Sequence, residues 1–347
     1  EASAVAEAAV NEGVSHISPD EFDADSYREE LESRLGLTRS IMRRVINQAK
    51  RDVKRIVFCE GEDPTIIKAA SQCIVEGICE PILLGQIERI DAVKEELGLE
   101  FECQTFDVRY DPRRRGEYAK ELHRLRGRRG LTRDDAVRLL KSSTYFAPMM
   151  VRMRDADGYL GGVSHDYPDI VKPCLQVIGP DPGSHRLVGM YMMTVNGQLM
   201  FIGDATINIY PDARTLAEIA IQTAKVAKRF GVKPKVAMLS FSNFGTSDEL
   251  RTDRIEEAIE IVREMEPELV VDGPMQADTA LVSEIQEDYP FMSFKGSANV
   301  LICPNLASAN IAYKLLQRVA GAEMTGPILE GLSKPAHVLQ RRDSVRD

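Results

Sequence analysis

From residue 54 onward, short apolar runs rich in β-branched residues alternate with helical patterns. The segment "KRIVFCEG" is typical of a buried strand that ends at Gly61. The next segment, "DPTIIKAASQCIVEG", predicts a helix with Pro64 in its first turn and Gly77 after its last. Because parallel strands need a long crossover between them, this alternation predicts an α/β fold of mostly parallel sheets with helices on both faces.

The pattern changes in the middle of the chain, in "HRLVGMYMMTVNGQLMFIGD" (residues 185–204). Two apolar runs flank Asn196-Gly197, which is the strongest short signal for a β-hairpin. Alternation then resumes, with predicted helices at 214–230, 252–266, 277–288 and 306–320 and strands between them. We therefore expect a second α/β unit that carries a hairpin.

A chain of 347 residues is long for one core, so two lobes are expected. The Pro/Gly-rich stretches at 179–183 and 325–328 are the best candidates for the crossings between them. This predicts lobe I from 41–183 and 327–347, and lobe II from 184–326. Residues 1–40 open with an alanine-rich helical pattern and are interpreted as the tail of a preceding module with a linker.

Composition excludes several function classes. With 44% apolar and 28% charged residues and a net charge of −10, the chain is not a general nucleic-acid binder. Its six cysteines include no C-x-x-C pair, which favours a reducing compartment over a zinc site or disulfides. No apolar run approaches the ~20 residues that a membrane span needs. These features predict a cytoplasmic protein without a metal, a nucleic-acid partner or a membrane.

The segment "LHRLRGRRG" (residues 122–130) concentrates arginines in an acidic protein. Guanidinium groups suit phosphate oxygens, so the cluster could bind an anion. It could equally be a helix C-terminus, where arginines favour the helix dipole and Gly130 follows the last turn. The mixed-charge tail "VLQRRDSVRD" (338–347) leaves a similar choice between an anion site and a solvated end. From the residues alone, we expect only a phosphorylated small molecule bound between two lobes.

Several longer segments resemble the phosphate acetyltransferase family: "RIVFCEGEDPTIIKAA", "YFAPMMVRMRDADGYLGGVSH", "LAEIAIQTAKVAKRFGVKPKVAMLSFSNFGTS", "VDGPMQADTALV" and "QRVAGAEMTGPILEGLSKPAHVL". The resemblance runs from about residue 46 to the end. It implies a two-lobed phosphate acetyltransferase-like fold, a homodimer through lobe II, and transfer of acetyl between acetyl phosphate and coenzyme A without a metal. The first forty residues resemble the end of the catalytic part of large NADP-dependent malic enzymes. That implies a malic enzyme catalytic domain in the same chain, a larger homo-oligomer, and NADP with a divalent metal only in that module.

The resemblance also implies a ligand site. The family's conserved arginines fall on Arg126 and Arg318, and its His and Asp fall on His165 and Asp169. An arginine of the family is Lys172 here. These residues, with Gln340 and Arg341 of the tail, are expected to bind acetyl-CoA.

The tail departs from the family at the positions that carry chemistry. The family serine is Gln340, its small glycine is Arg342, and Val338 replaces an acid, while Arg341 and Asp347 keep their places. Gln340, Arg341 and Asp347 therefore mark a degenerate catalytic set. Since misplacing a reacting group by an ångström can cost ~10²-fold in rate, the resemblance implies retained binding with compromised turnover.

We therefore expect an acetyl-CoA-binding, non-catalytic regulatory domain that inhibits an attached malic enzyme. Two alternatives stay open at this point. One is an active phosphate acetyltransferase in which Gln340 or Ser344 replaces the serine. The other is a purely structural oligomerisation module.

Overall fold

Alternating strands and helices build two sheets, as the sequence predicts. The computed structural model describes residues 2–12, 14, 22–23, 37–195, 197–244, 253–341 and 343–345. Within them, helix α1 (Ala2–Asn11) precedes α2 (Leu37–Arg51), which leads into the first sheet. No helix of the described residues is long and apolar enough to cross a membrane.

The first lobe has a five-stranded, fully parallel sheet in the order β11-β4-β1-β2-β3. Its elements are β1 (Lys54–Phe58), α3 (Pro64–Glu76), β2 (Cys79–Leu84), α4 (Ile87–Leu97), β3 (Gln104–Phe106), α5 (Pro112–Arg126), a 3₁₀ turn (Gly127–Arg129), α6 (Arg133–Leu139), α7 (Ser143–Arg152), β4 (Gly158–Gly161), α8 (Tyr167–Val177) and β11 (Ala336–Val338). The predicted helix signals are confirmed in α3, where Asp63 accepts hydrogen bonds from the N–H groups of Thr65 and Ile66, and Gly77 ends the helix at φ 67°.

The second lobe has a six-stranded mixed sheet in the order β10-β5-β6-β9-β7-β8. Its elements are β5 (Val188–Val195), β6 (Gln198–Gly203), α9 (Ala213–Arg229), β7 (Lys235–Leu239), α10 (Asp253–Met265), β8 (Val270–Met275), α11 (Ala277–Leu281), a 3₁₀ turn (Ile285–Asp288), β9 (Val300–Ile302), α12 (Leu306–Val319) and β10 (Glu323–Glu330). Strands β5 and β6 form the predicted antiparallel hairpin. Gly197 at its turn has φ 78°, and Asn196 lies outside the described residues.

The structure differs from the sequence prediction in one helix. Instead of one helix over 277–288, α11 ends at Leu281 and Val282 is extended. The reason lies in the buried side chain of Gln286, whose Nε2 donates to the carbonyl of Thr279 at 3.0 Å and whose Oε1 accepts from Gly296 N–H at 2.9 Å. These bonds fold the chain back and break the helix.

The crossings between the lobes also differ in part. The first lies at 178–187, as predicted, but β10 continues through the predicted crossing at 325–328 to Glu330, so the second lies at 331–335. The boundary between 326 and 327 therefore falls inside a strand of the second sheet. Helix α2, assigned by the sequence to lobe I, contacts β5 and β6 instead, because Ile41 is buried in their core.

Helices on opposite faces leave a crevice in the first lobe. Helix α3, which follows β1, packs on one face through Ile67, while α8, which follows β4, packs on the other through Ile170. Strands β1 and β4 are hydrogen-bonded neighbours. Loops that leave adjacent parallel strands toward opposite faces open a crevice at their carboxyl ends, the usual ligand position in such sheets. Glu60 and residues 162–165 lie at this point.

Candidate functional site

A buried carboxylate organises the crevice. Glu60, 8% exposed, follows β1 and reaches the loop after β4. Its Oε2 accepts hydrogen bonds from the N–H groups of Gly162 (2.6 Å) and Val163 (2.9 Å). Its Oε1 accepts from the N–H (2.7 Å) and Oγ–H (2.6 Å) of Ser164 and lies 2.7 Å from Nδ1 of His165. The loop is therefore wrapped around one carboxylate.

The hydrogen bonds decide the charge of that carboxylate. Burial, the largest single influence, works to raise the pKa of Glu60. Hydrogen bonds from the Ser164 hydroxyl, His165, and the N–H groups of Gly162 and Ser164 together outweigh burial, and the pKa lies below its ordinary value of 4.5. Glu60 is thus ionised near neutral pH and holds His165 at the edge of a cavity of about 470 Å³ that Arg109 and Lys141 also line.

Gly162 shows how closely the tail approaches this loop. It has φ 128°, and a Cβ there would lie 2.4 Å from the carbonyl oxygen of Leu339. The N–H of Leu339 in turn donates to the carbonyl of Gly161 at 2.8 Å. Only glycine fits this conformation and contact, so the loop and the residues leading to Gln340 are packed backbone to backbone.

A second cavity, of about 560 Å³, lies between the lobes, and we call it the interlobe cavity. The first lobe contributes the end of α5, its 3₁₀ turn and α8, and the second lobe contributes Thr206 and Ile207. Three cations line it, Arg126, Arg129 and Lys172, and none of the described lining residues is acidic. None of the three has an ion-pair partner among the described residues. The rest of the wall is largely apolar: Tyr167, Pro168, Val171, Leu175, Pro180 and Ile207.

The structure places the arginines of the cluster 122–130 in different surroundings. The segment is a helix end, with a 3₁₀ turn after Arg126 and Gly130 at φ 90°. Arg124 pairs with Glu121 at 2.7 Å, and Arg128 is exposed and lines neither cavity. Of the four arginines in this segment, only Arg126 and Arg129 line the interlobe cavity. The segment is therefore a helix end that also places two arginines at a cavity.

The tail ties the two lobes together. The Nε2 of Gln340 donates to the hydroxyl of Tyr191 in β5 of the second lobe. The Tyr191 ring stacks on Tyr313 of α12, with centroids 4.4 Å apart. Burial, reinforced by Tyr313, raises the pKa of Tyr191, so this hydroxyl stays neutral. Gln340 is thus held where the two lobes meet.

Residues 165–167 connect these features. His165 lines the crevice cavity, while Asp166 lies 3.5 Å from Nη2 of Arg341. Tyr167 lines the interlobe cavity, and its hydroxyl lies 3.0 Å from Oγ1 of Thr206. Crevice, tail and interlobe cavity therefore share one short segment of chain.

The expected site residues are only partly brought together. Arg126 and Lys172 line the interlobe cavity, whereas His165, Gln340 and Arg341 lie along the adjacent crevice and tail. Arg318 is exposed in the last turn of α12 and lines neither cavity, and Asp169 is exposed in the first turn of α8. Asp347 and Arg342 lie outside the described residues. The roles of all of these in binding stay predictions.

Three residues of this region were not singled out by the sequence: Glu60, Tyr167 and Tyr191. Arg129 was singled out only as a member of the arginine cluster. A signal existed for Glu60, because it directly follows the first strand of an alternating pattern, where ligand crevices open. Within the described part of the chain, no group of three or more His, Cys, Asp and Glu side chains could hold a metal ion.

Comparison with known proteins places this geometry in a family. The model of the family described as phosphate acetyl/butaryl transferase matches residues 40–347. The NADP-dependent malic enzyme of Escherichia coli is 37% identical over 353 residues, covering 99% of this chain and 46% of that enzyme, so the chain spans about half its length. The phosphate acetyltransferase of Thermoanaerobacterium thermosaccharolyticum is 36% identical, covering 89% of this chain and 96% of that enzyme.

A solved structure agrees in fold. The crystal structure of a phosphotransacetylase from Streptococcus pyogenes has a TM-score of 0.83 and 35% identity, covering 89% of this chain and 94% of that one. The mostly parallel two-sheet architecture described above is therefore a phosphate acetyltransferase-like fold. The chain belongs to the phosphate acetyl/butaryl transferase family.

Proposed function

We propose that this chain binds acetyl-CoA in the interlobe cavity and, as part of a longer protein, inhibits a malic enzyme that converts malate to pyruvate. The observation that carries the proposal is the charge of that cavity. Three cations that form no ion pair with any described residue line an otherwise largely apolar wall, in a protein with a net charge of −10. The similarity to a malic enzyme over 99% of the chain supports the regulatory context.

The cavity chemistry suits a coenzyme with several phosphate groups. Arg126 and Arg129 offer planar forks that can bind phosphate oxygens in pairs, while Lys172 acts as a point charge. Apolar residues such as Val171 and Ile207 can contact the uncharged part of the ligand. A hydrogen bond to a charged group contributes about 1.5–3 kcal/mol, so each arginine accounts for about 10- to 100-fold in affinity.

Gln340 argues for binding without efficient turnover. Its amide donates one of its two N–H groups to the hydroxyl of Tyr191. This bond orients the amide toward Tyr191 and not toward a reacting acyl or thiol group, and loss of one such donor costs ~10²–10³-fold in rate. Arg341, which is 61% exposed, has only a long 3.5 Å contact with Asp166.

Regulation follows from the position of the cavity. Its walls come from both lobes, so its shape and its affinity depend on how the lobes are arranged. A ligand that binds one arrangement better stabilises it, and a difference of about 1–3 kcal/mol is typical of allosteric coupling. Inhibition by acetyl-CoA would then act as feedback on the supply of pyruvate.

Calorimetric titration of acetyl-CoA into the chain tests the binding step. We expect saturable binding that weakens about 10- to 100-fold in Arg126→Ala and Arg129→Ala. Arg128→Ala is the matched control, because Arg128 lies in the same turn but does not line the cavity. Absence of binding, or equal losses in all three variants, would overturn the proposal. In a protein joined to the malic enzyme module, Arg126→Ala should raise the acetyl-CoA concentration needed for inhibition by the same factor.

Active phosphate acetyltransferase is the second candidate. It is favoured by the phosphate acetyltransferase relative of which the chain covers 96%. Assay of phosphate-dependent CoA release from acetyl-CoA distinguishes the two functions. The regulatory proposal expects little turnover in the natural chain and a rise in Gln340→Ser, whereas rapid turnover of the natural chain would favour the transferase.

A further inference from the structure

A third cavity, of about 510 Å³, lies where the two crossing segments meet, and we call it the crossing cavity. Residues 181 and 183–185 of the first crossing and 331–332 of the second line it, opposite one face of α9. The crossings are bonded to each other, with Asp181 N–H donating to the Gly331 carbonyl at 2.9 Å. The crossing cavity shares no lining residue with the interlobe cavity.

Two buried acceptors lie along the α9 wall of the crossing cavity. Glu218 is 5% exposed and Gln222 is 9% exposed. Oε1 of Glu218 accepts from Nε of Arg214 at 3.2 Å, and Nε2 of Gln222 donates to the Arg186 carbonyl at 3.1 Å. The second oxygen of each side chain, Oε2 of Glu218 and Oε1 of Gln222, has no partner among the described residues and is shielded from solvent. An unpaired buried polar group costs about 1–3 kcal/mol, so a ligand that displaces the side chains covering these oxygens and donates hydrogen bonds to them would be stabilised.

The far end of the crossing cavity is cationic. Lys225 pairs with Glu266 at 2.9 Å, and Arg229 pairs with Glu330. Lys228 lines the cavity and has no ion pair in the part of the chain that the structure describes. One lysine therefore remains available for an anion, beside two paired cations.

Helix geometry sets the spacing between the two ends. The midpoint between the two acceptors is residue 220 of α9, and the midpoint of the cationic end is residue 227. These positions are seven residues apart, which is roughly 10 Å at 1.5 Å per residue. That separation matches the span from the base amine to the phosphate of a mononucleotide. Ile221, Met265 and Leu332 add apolar surface suited to a planar base.

We propose that the crossing cavity binds a purine nucleotide that carries an exocyclic amine. The amine donates to Oε2 of Glu218 and Oε1 of Gln222, and the phosphate lies at Lys228. Admission of the base requires Arg214, whose side chain is 53% exposed, to turn aside from Glu218. Inorganic phosphate would leave both acceptors unpaired, and a polyamine would leave Lys228 unpaired, although Asp181 and Glu330 also line the cavity.

Such a ligand would also sense the lobe arrangement. It contacts both crossing segments, which are the connections between the two sheets, so its affinity depends on their relative position. This makes the crossing cavity a second effector site, separate from the proposed acetyl-CoA site.

Titration calorimetry with three probes tests the ligand chemistry. The first probe, AMP, should bind. The other two probes are purine riboside 5′-monophosphate, which lacks only the amine, and adenosine, which lacks only the phosphate. We expect each of the two analogues to bind at least tenfold more weakly than AMP. If AMP does not bind at millimolar concentration, the proposal is wrong. Equal binding of AMP and the amine-free analogue would also overturn it.

Variants locate the site. Lys228→Ala should weaken AMP binding at least tenfold, with Lys68→Ala, an exposed lysine of the first lobe, as control. Neither change removes a buried group, so both variants should fold. Loss of AMP binding in Arg126→Ala but not in Lys228→Ala would place AMP in the interlobe cavity and refute the second site. Failure of acetyl-CoA binding with intact AMP binding would instead contradict only the proposed function.

Discussion

The Glu60 loop and the interlobe cavity lie at opposite ends of residues 162–172. The charged groups of the two regions differ in whether they have partners within the protein. Glu60 is buried and accepts hydrogen bonds on both oxygens from the loop that it organises. Arg126, Arg129 and Lys172 line a cavity without an ion pair to any described residue. A satisfied charge holds structure, whereas an unsatisfied one is available to a ligand.

This contrast predicts a separation of effects. Substitutions at Glu60 should lower the stability of the protein, because the carboxylate contacts only other groups of the protein. They should lower ligand binding only as a consequence of that loss of stability. Changes at the cavity cations should lower affinity and leave stability nearly constant, because exposed charges without partners contribute little to folding. Each prediction below tests one side of that separation.

The largest effect is expected for Glu60→Ala. Removing the carboxylate leaves the N–H groups of Gly162, Val163 and Ser164 without their acceptor, which should lower the free energy of unfolding by about 2–4 kcal/mol. Denaturant unfolding followed by circular dichroism measures it. Glu80→Ala, at an exposed position of β2, is the control and should change stability by less than about 0.5 kcal/mol. Equal stabilities of the two variants would refute a structural role for Glu60.

At the cavity, the double variant Arg126→Gln, Lys172→Gln should abolish most anion binding and leave the unfolding midpoint within about 1 °C of the natural chain. Arg126 and Lys172 form no ion pair within the described part of the chain, so their removal should act on ligand binding, and affinity for acetyl-CoA should fall by more than either single change does. Thermal unfolding without ligand gives the stability, and calorimetry gives the affinity. A marked loss of stability would show that these cations hold the lobes together, and the contrast with Glu60 would fail.

A smaller effect is expected from acid. The folded protein holds the pKa of Glu60 below its ordinary value of 4.5, so its ionised form contributes stability that is fully present above that value. This contribution is lost as pH falls through the folded-state pKa. The difference in thermal midpoint between the natural chain and Glu60→Gln should therefore be constant from pH 7 to pH 5 and shrink below pH 4.5. A difference that stays constant to pH 3 would mean that the Glu60 charge is not what stabilises the loop.

Much of the fold follows from local pattern. Strand–helix alternation and the Asn196-Gly197 turn predict the two sheets, because period and turn chemistry are local properties of sequence. The helix over 277–288 was predicted wrongly because Gln286 reaches back to Thr279 and Gly296, a contact that no local pattern reports. The second crossing was misplaced because the Gly326-Pro327 step lies within β10 rather than ending it.

The site was harder to predict than the fold. The arginine cluster indicates an anion site, but the geometry of the 3₁₀ turn decides that Arg126 and Arg129 line the cavity and Arg128 does not. Tyr191 gives no sequence signal at all, since it is one apolar position in a β-strand. Its importance arises only when the tail brings Gln340 to it across 149 residues.

The smallest effect should come from that contact. Tyr191→Phe removes the hydroxyl that accepts from Gln340 and keeps the ring stacked on Tyr313, so it should lower the free energy of unfolding by only about 0.5–1.5 kcal/mol. If Gln340 is held away from the ligand by this bond, releasing it should also change acetyl-CoA affinity, although Tyr191 lines neither cavity. Tyr118→Phe, which removes a hydrogen bond to Asp155 in the first lobe, is the matched control, because neither residue lines either cavity. A change in affinity for Tyr191→Phe alone would show that the tail both connects the lobes and acts on the ligand. Equal affinities in both variants would show that the bond between Gln340 and Tyr191 has a structural role only.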